Sequence, residues 1–185
     1  MIERAVGSIN AGEVIGLPTD TVYGLGVDPL NRAAVAKLYE LKGRPDHRPV
    51  GLLVASIEQA REIGVFDRVG EGLMTAHWPG PLTLVVAPKV ILADWVGDTQ
   101  TRTVGLRVPD LGVTIELLSE TGPLAVTSAN LSGGPETMGD AEARALFGDQ
   151  VAFYVEGKAP GGVSSTVVDL TGSHPVVLRE GPVRI

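Results

Sequence analysis

Five short segments of the 185-residue sequence combine glycine or proline with hydroxyl, amide or cationic side chains. Glycine lets a backbone approach a ligand closely, hydroxyl groups exchange hydrogen bonds with it, and arginine and lysine bind its anionic groups. Such residue types are suited to holding a phosphate or a carboxylate. The segments are residues 18–26, 42–48, 103–109, 127–135 and 161–166.

The first segment, PTDTVYGLG, directly follows a predicted strand. Thr21 and Tyr23 are predicted to donate hydrogen bonds to a ligand there, since polar groups just beyond strand ends often line the binding crevice of α/β proteins. The alternative is a threonine-rich turn in which Tyr23 packs on the core.

The second segment places three cations, Lys42, Arg44 and Arg48, at a predicted helix C-terminus and in the loop that follows. A cation at this helix end also interacts favourably with the helix dipole, which explains Lys42 without any ligand. Arg44 and Arg48 on a loop shaped by glycine and proline are predicted to bind phosphate oxygens.

In the third segment a single arginine, Arg107, interrupts an otherwise apolar strand. A buried guanidinium needs an anionic partner or carbonyl groups, because leaving it unpaired costs several kcal/mol. A structural salt bridge and a substrate carboxylate meet that need equally well. Thr103 lies at the start of the same strand.

The last two segments end strands with small polar residues. Ser128 and Asn130 are typical of an anion-binding turn, although a plain loop also fits. Ser165 and Arg179 are predicted to reach the same pocket, provided that the final strands join the same sheet as the others.

Strand-like and helix-like stretches alternate along the chain, which predicts an α/β fold with a mixed or mostly parallel sheet covered by helices. Helices are predicted over residues 2–10, from Asn31 to Gly43, from Ser56 to Gly64 and over about 114–119. Strands are predicted at 14–17, 52–55, 82–86, 104–108, 124–127, 151–155, 166–170 and 176–178. No linker-like stretch divides the chain, so residues 1–185 are expected to form one domain.

The composition excludes several classes of protein. A net charge of −7 argues against a broad basic surface for nucleic acid, and the absence of cysteine excludes disulfides and thiolate metal sites. No apolar run is long enough to span a membrane, so a cytoplasmic protein is expected. The phosphate loop, the dinucleotide fingerprint and the serine-hydrolase elbow are absent, and the three histidines are scattered.

Seven strings in order along the chain resemble the YrdC-like threonylcarbamoyl-AMP synthase family, in its short single-domain form. They are PTDTVYGLG, the K-x-R at 42–44, HWPGPLT, VGLRVP, the S-x-N at 128–130, SSTVVD and VLREG. The resemblance implies a twisted, open mixed sheet with helices on both faces and a basic concave cavity. It further implies that L-threonine, bicarbonate and ATP, with magnesium on the triphosphate, give threonylcarbamoyl-AMP and pyrophosphate for tRNA modification.

The resemblance also implies roles for individual residues. Those implied around threonine are Thr21, Arg107, Val126 and Ser165, and Tyr23 is expected there from its own segment. Those implied around the nucleotide are Lys42, Arg44, Thr103, Ser128, Asn130 and Arg179, and Lys42 and Arg44 are expected to act catalytically on the phosphates. Arg48 is expected at the phosphates from its own segment, since its position varies between basic and neutral residues in the family. Glu136 departs from the small serine usual in the family.

Two other functions remain open at this point. A non-catalytic RNA-binding module would use the same cavity for an RNA backbone, and a carbamoyl-transfer relative would keep the fold but change the substrate. By analogy, the intermediate is expected to pass to a separate transferase complex that acts on tRNA, and direct contact with tRNA is possible.

Overall fold

The computed structural model describes residues 1–43 and 49–185. Helices and strands are interspersed along these ranges, as expected of an α/β fold, but several strands and one pair of helices follow one another directly. The helices are α1 (Ile2–Asn10), α2 (Arg32–Lys42), α3 (Ile57–Ile63), α4 (Arg68–His77), α5 (Gly112–Thr121) and α6 (Asp140–Phe147). The strands are β1 (Ile15–Leu17), β2 (Gly24–Val27), β3 (Gly51–Leu53), β4 (Leu82–Val86), β5 (Val104–Arg107), β6 (Leu124–Ser128), β7 (Phe153–Tyr154), β8 (Thr166–Asp169) and β9 (Val176–Arg179).

Helix ends follow the capping signals of the sequence. The side chain of Asn31 accepts a hydrogen bond from the Ala34 N–H at the start of α2, and Ser56 caps α3 through the Gln59 N–H. Helix α2 ends at Gly43, which adopts the left-handed conformation (φ 58°) that glycine tolerates best. This cap fixes where the chain turns away after Lys42.

In the described part of the chain, nine strands form one mixed sheet in the order β7-β1-β2-β6-β3-β5-β4-β8-β9. Parallel pairs join β1 to β7, β3 to β5 and β4 to β8, and the other neighbours are antiparallel. The α/β class and the mixed sheet are therefore confirmed. The last two strands, β8 and β9, lie beside β4 in this same sheet.

The central strands send alternate side chains to opposite faces, as the period of two in a strand requires. Leu84 of β4, Leu106 of β5 and Val168 of β8 point into the main core with α2 and α4 residues. A second core cluster unites α1 and α5 with β1 and β7. The remaining side chains of β4, β5 and β8 line a hollow on the other face of the sheet.

Among the described residues, no helix has both the length and the hydropathy needed to cross a membrane.

Candidate functional site

The hollow has a volume of about 460 Å³ and is lined by strands from both halves of the sheet. Thr83 and Val85 come from β4, Gly105 and Arg107 from β5, and Val167 and Asp169 from β8. Strands β2, β3 and β6 contribute Gly24, Gly51, Val126 and Ser128. The alternation of each strand thus gives one face to the core and the other to a ligand-sized cavity.

Arg107 lies at one end of this hollow and is held by three partners. Its Nε donates to the Gly80 carbonyl (3.0 Å), its Nη1 donates to the Thr21 hydroxyl (3.0 Å), and its Nη2 forms an ion pair with Asp20. The side chains of Arg107 and Asp20 are only 7% and 10% exposed. Of the two alternatives that the sequence offered for Arg107, the structural salt bridge is therefore present. Arg107 also lines the hollow, so it is in reach of a ligand as well.

Ser165 and Arg179 lie at the same end. The Arg179 guanidinium donates to the Ser165 carbonyl (2.9 Å) and hydroxyl (3.1 Å), and that hydroxyl exchanges a hydrogen bond with Thr83 (2.8 Å). Both residues line the hollow. The final strands thus bring the two residues together at the hollow, and their contact with a ligand stays a prediction.

The charges at this end oppose one another. Burial lowers the pKa of the Arg107 guanidinium, the Asp20 carboxylate raises it, and repulsion from Arg179 lowers it again. Two arginines and the buried carboxylate of Asp20 thus lie close together at this end of the hollow.

Strand registers place a second polar group at the opposite end. Thr103 precedes Arg107 by four residues of extended chain, which separates them by roughly 13 Å. Val126 of β6 pairs with Gly51 of β3. Because β6 runs antiparallel to β3, Ser128, two residues further on, lies at the end of the hollow that contains Thr103. Asp98 and Asp169 also line the hollow, and Asp98 accepts N–H bonds from Gln100 and Thr101 that lower its pKa.

Lys42 ties the helix α2 to the loop after β6. Its ammonium is buried and donates to the Ser128 carbonyl (2.6 Å) and to Asn130 Oδ1 (2.5 Å). Asn130 Oδ1 also accepts from the Ser128 hydroxyl (2.7 Å), and its Nδ2 donates to the Gly134 carbonyl (2.7 Å). Lys42 and Asn130 therefore shape the loop that presents Ser128 to the hollow.

The structure places the predicted site residues in four groups, one of which is Tyr23 alone, in the core. Thr21, Thr103, Arg107, Val126, Ser128, Ser165 and Arg179 line the hollow, and Lys42 and Asn130 lie behind Ser128. Arg44 and Arg48 lie outside the described residues.

The prediction that Tyr23 contacts substrate is not met. Its ring is fully buried in the core, and its hydroxyl donates to the Val155 carbonyl (2.7 Å), so it has no surface on the hollow. Burial, with a smaller contribution from Asp140, raises the pKa of this hydroxyl well above its usual value. The alternative of a core-packed tyrosine is the observed one, because the ring lies within the main core cluster.

Sequence reasoning passed over Asp20, Thr83 and the two aspartates Asp98 and Asp169. Asp20 was visible as the charged residue in PTDTVYGLG, next to Thr21, although nothing in the sequence reveals that it meets Arg107, 87 residues away. Thr83 and Asp169 alternate with apolar neighbours in their strands, and this period-two pattern was the available signal.

No group of three or more His, Asp or Glu side chains that could hold a metal occurs within residues 1–43 and 49–185. The hollow itself carries two aspartates, Asp98 and Asp169. A magnesium ion held mainly by phosphate oxygens and water needs only one or two carboxylates, so these residues fit a metal that arrives with its nucleotide.

Comparison with known proteins gives matches over almost the entire chain. The Sua5/YciO/YrdC family model, described as "Telomere recombination", matches residues 8–181. A Mycobacterium tuberculosis protein named as a candidate threonylcarbamoyl-AMP synthase is 46% identical over 98% of this chain and 84% of its own length. The threonylcarbamoyl-AMP synthase of Bacillus subtilis is 39% identical over 97% of this chain.

The fold agrees with a solved structure. The crystal structure of Pyrococcus abyssi Sua5 complexed with L-threonine superposes with a TM-score of 0.91 at 35% identity, covering 97% of this chain. The chain spans about half the length of the Bacillus and Pyrococcus proteins, 53% and 54% respectively. With a family model that covers residues 8–181 and relatives up to 46% identical, this chain belongs to the Sua5/YciO/YrdC family.

Proposed function

We propose that this chain is a threonylcarbamoyl-AMP synthase, a nucleotidyltransferase that condenses L-threonine, bicarbonate and ATP into threonylcarbamoyl-AMP and pyrophosphate. The observation that carries this proposal is the arrangement of one hollow with two polar ends. Arg107, Thr21 and Ser165 lie at one end, and Thr103 and Ser128 lie at the other. Relatives that bear this activity in their names support the assignment.

The Arg107 end suits the amino acid. A guanidinium held by Gly80, Thr21 and Asp20 keeps N–H groups that can pair with a carboxylate, and the Thr21 and Ser165 hydroxyls add hydrogen bonds. Arg179, bonded to Ser165, adds positive charge beside them. Threonine bound here by its carboxylate directs its amine along the hollow toward the other end.

The Thr103 end suits the nucleotide. Ser128, the last residue of β6, offers a hydroxyl where hydrogen bonds from Lys42 and to Asn130 fix the end of the strand. Lys42, with Arg44 and Arg48 on the segment after it, is proposed to neutralise phosphate charge. Bare backbone at Gly51 and Gly105 lets a ligand lie close to the sheet between the two ends.

This arrangement matches the chemistry. The threonine amine and bicarbonate give a carbamate and water, and the carbamate oxygen attacks the α-phosphorus of ATP while pyrophosphate leaves. The attacking group is already an anion, so positioning and charge neutralisation are the main tasks of the protein. A Mg²⁺ ion on the triphosphate would supply further charge neutralisation, and Asp98 and Asp169 are the carboxylates available to it.

Other expectations follow from this function. A cytoplasmic location, a single-domain organisation and transfer of the intermediate to a tRNA-modifying transferase complex remain predictions. Direct tRNA binding also remains a prediction, and the net charge of −7 does not favour it.

The test is the release of pyrophosphate from ATP, magnesium and bicarbonate in the presence and absence of L-threonine, with threonylcarbamoyl-AMP identified by mass spectrometry. We expect pyrophosphate only with threonine. Pyrophosphate release that is the same with and without threonine contradicts the proposal. So does the absence of pyrophosphate release from folded protein. Titration with labelled tRNA and assay with carbamoyl phosphate test the two alternative functions in the same preparation.

A further inference from the structure

Asp20 is the buried partner of Arg107, and nothing else in the described structure binds its carboxylate. One oxygen, Oδ1, accepts from Arg107 Nη2, whereas Oδ2 is buried and is without a hydrogen-bond partner among the described residues. Buried carboxylate oxygens are rarely left in this state, because the unmade hydrogen bond costs free energy. Among the described residues, Arg107 is therefore the partner that holds the Asp20 side chain.

Hydrogen bonds hold the backbone around Asp20 on both sides. The Thr19 hydroxyl donates to the Val22 carbonyl (2.7 Å) and exchanges a hydrogen bond with the Thr21 hydroxyl (2.9 Å). The Thr21 carbonyl accepts from the Gly162 N–H (2.8 Å), which ties this turn to the loop before Ser165. A carboxylate on such a turn is a fixed point against which a flexible arginine side chain can be oriented.

Stability is a weak explanation for the ion pair. Replacing a buried ion pair by apolar residues of similar size is often neutral or favourable, because removing both charges from water is expensive. Arg107 is nevertheless kept charged at the wall of a hollow, with three of its five N–H donors directed at protein acceptors. The two others, one on each Nη, are left in a fixed orientation.

We infer that Asp20 is a positioning residue: it acts through Arg107 by fixing the plane of the guanidinium, so that the two remaining N–H groups receive the carboxylate of L-threonine. This inference rests on the proposed function. Asp20 does not line the hollow and makes no contact with substrate. Its effect is on the binding of the amino acid, because the guanidinium it holds lies at the end of the hollow away from Thr103.

The test compares Asp20→Asn, Asp20→Ala, Arg107→Ala and the double variant Asp20→Ala/Arg107→Ala. Binding of L-threonine is measured by calorimetry, and the KM values for threonine and ATP are measured by pyrophosphate release. Asparagine keeps an acceptor for Nη2 but lacks the charge, so we expect threonine binding about 3- to 10-fold weaker. Alanine removes the acceptor, and we expect at least about 30-fold weaker binding. The KM for ATP should stay within about twofold in both variants.

The double variant decides whether Asp20 acts through Arg107. We expect it to bind threonine within about twofold of Arg107→Ala, because residues of one network are not additive. A double variant that is much weaker than Arg107→Ala refutes the inference. So does an Asp20→Asn variant with unchanged threonine binding, or a parallel rise of both KM values.

One control and one fallback keep these outcomes interpretable. Asp67→Ala removes the N-cap of α4, which does not line the hollow, and should lower the melting temperature while leaving the KM for threonine unchanged. If Asp20→Ala does not fold, Asp20→Asn and the double variant, which has no unpaired buried charge, carry the test. Wild-type protein that neither binds threonine nor releases pyrophosphate contradicts the proposed function itself. If the wild-type protein is active and Asp20→Asn binds threonine as tightly as the wild type, only the role of Asp20 is contradicted.

Discussion

The Ser164 hydroxyl donates a hydrogen bond to the carboxylate of Glu136, and this contact joins two glycine-containing loops beside the hollow. Ser164 lines the hollow, and its neighbour Ser165 holds Arg179. The resemblance leads one to expect a small serine at the position of Glu136. The longer Glu136 side chain reaches across to the loop that contains Ser164.

Breaking this contact should loosen the loop at residues 160–164. For Glu136→Ala we expect faster amide hydrogen exchange in this loop and a KM for threonine raised about 2- to 5-fold, because one hydrogen bond contributes about 1 kcal/mol. Hydrogen exchange followed by mass spectrometry measures the first effect, and steady-state pyrophosphate release measures the second.

Ser164→Ala breaks the same hydrogen bond from the other side and is the matched control. The two single variants and the double variant should give similar loop exchange rates, since all three lack one shared contact. Additive effects would mean that Glu136 and Ser164 act independently of each other.

Gly105 leaves the floor of the hollow bare, and a methyl group there should obstruct the ligand. A Cβ on Gly105 would lie 3.3 Å from Thr83 Cγ2, which the neighbouring side chain can accommodate with a small shift. We expect Gly105→Ala to fold and to weaken ATP binding by about tenfold, because a filled site disfavours its ligand by about 1 to 3 kcal/mol. Calorimetry with a non-hydrolysable ATP analogue measures this.

Gly112→Ala provides the comparison for this substitution. A Cβ at Gly112 meets nothing within 4 Å, and the residue begins helix α5, where alanine is favourable. Its ATP affinity should equal that of the wild type. An equal loss of affinity in both variants would show that the floor of the hollow is not where the ligand binds.

Local signals in the sequence predicted most of the fold. Asn31, Ser56 and Gly43 mark helix ends by short-range hydrogen bonds and backbone conformation, so their positions are readable without tertiary contacts. Strand β2 was missed because two of its four residues, Gly24 and Gly26, are glycines, which disfavour strands. Its pairing with β1 and β6 overrides that preference.

Helix α6 was missed for a different reason. It begins after Gly139 with no side-chain cap, so the usual start signal is absent, although its run of alanine, leucine and glutamate favours a helix. The candidate site, too, could be predicted only in part from local sequence signals. Residue types identified Arg107 as a buried cation, but its partner Asp20 is set by the topology of the sheet, which no local pattern encodes.

Lys42 should be needed for both the fold of its loop and the activity. Removing its ammonium leaves the Ser128 carbonyl without this donor and deprives Asn130 Oδ1 of its shortest hydrogen bond. We expect Lys42→Met to lower the free energy of unfolding by about 1 to 3 kcal/mol and to reduce kcat by at least about 100-fold. Chemical denaturation and pyrophosphate release measure the two effects.

Lys37→Met is the control, since Lys37 is an exposed lysine on the same helix. It should change the free energy of unfolding by less than about 0.5 kcal/mol and leave kcat unaltered. A Lys42→Met variant that behaves like Lys37→Met would contradict a role for Lys42 beyond the helix dipole.

Tyr23 should affect stability and not catalysis. Its buried hydroxyl is the donor to the Val155 carbonyl, so Tyr23→Phe leaves that carbonyl without this partner and should lower the free energy of unfolding by about 1 to 2 kcal/mol. Since Tyr23 has no surface on the hollow, the KM values for ATP and threonine should match those of the wild type. A large rise in the KM for threonine would restore the substrate-contact role that the geometry removes.

Ionisation of Tyr23 should also contribute to the fall in the free energy of unfolding at alkaline pH. Burial raises the pKa of Tyr23 in the folded state, while the unfolded chain titrates near its usual value of about 10. Above about pH 10 the unfolded state therefore binds fewer protons than the folded state, and the free energy of unfolding falls as pH rises. Tyr23→Phe removes this contribution, so its stability should decline less steeply above about pH 10 than that of the wild type. Chemical denaturation at closely spaced pH values measures the difference, and equal slopes would mean that Tyr23 ionises as readily in the folded chain as in the unfolded one.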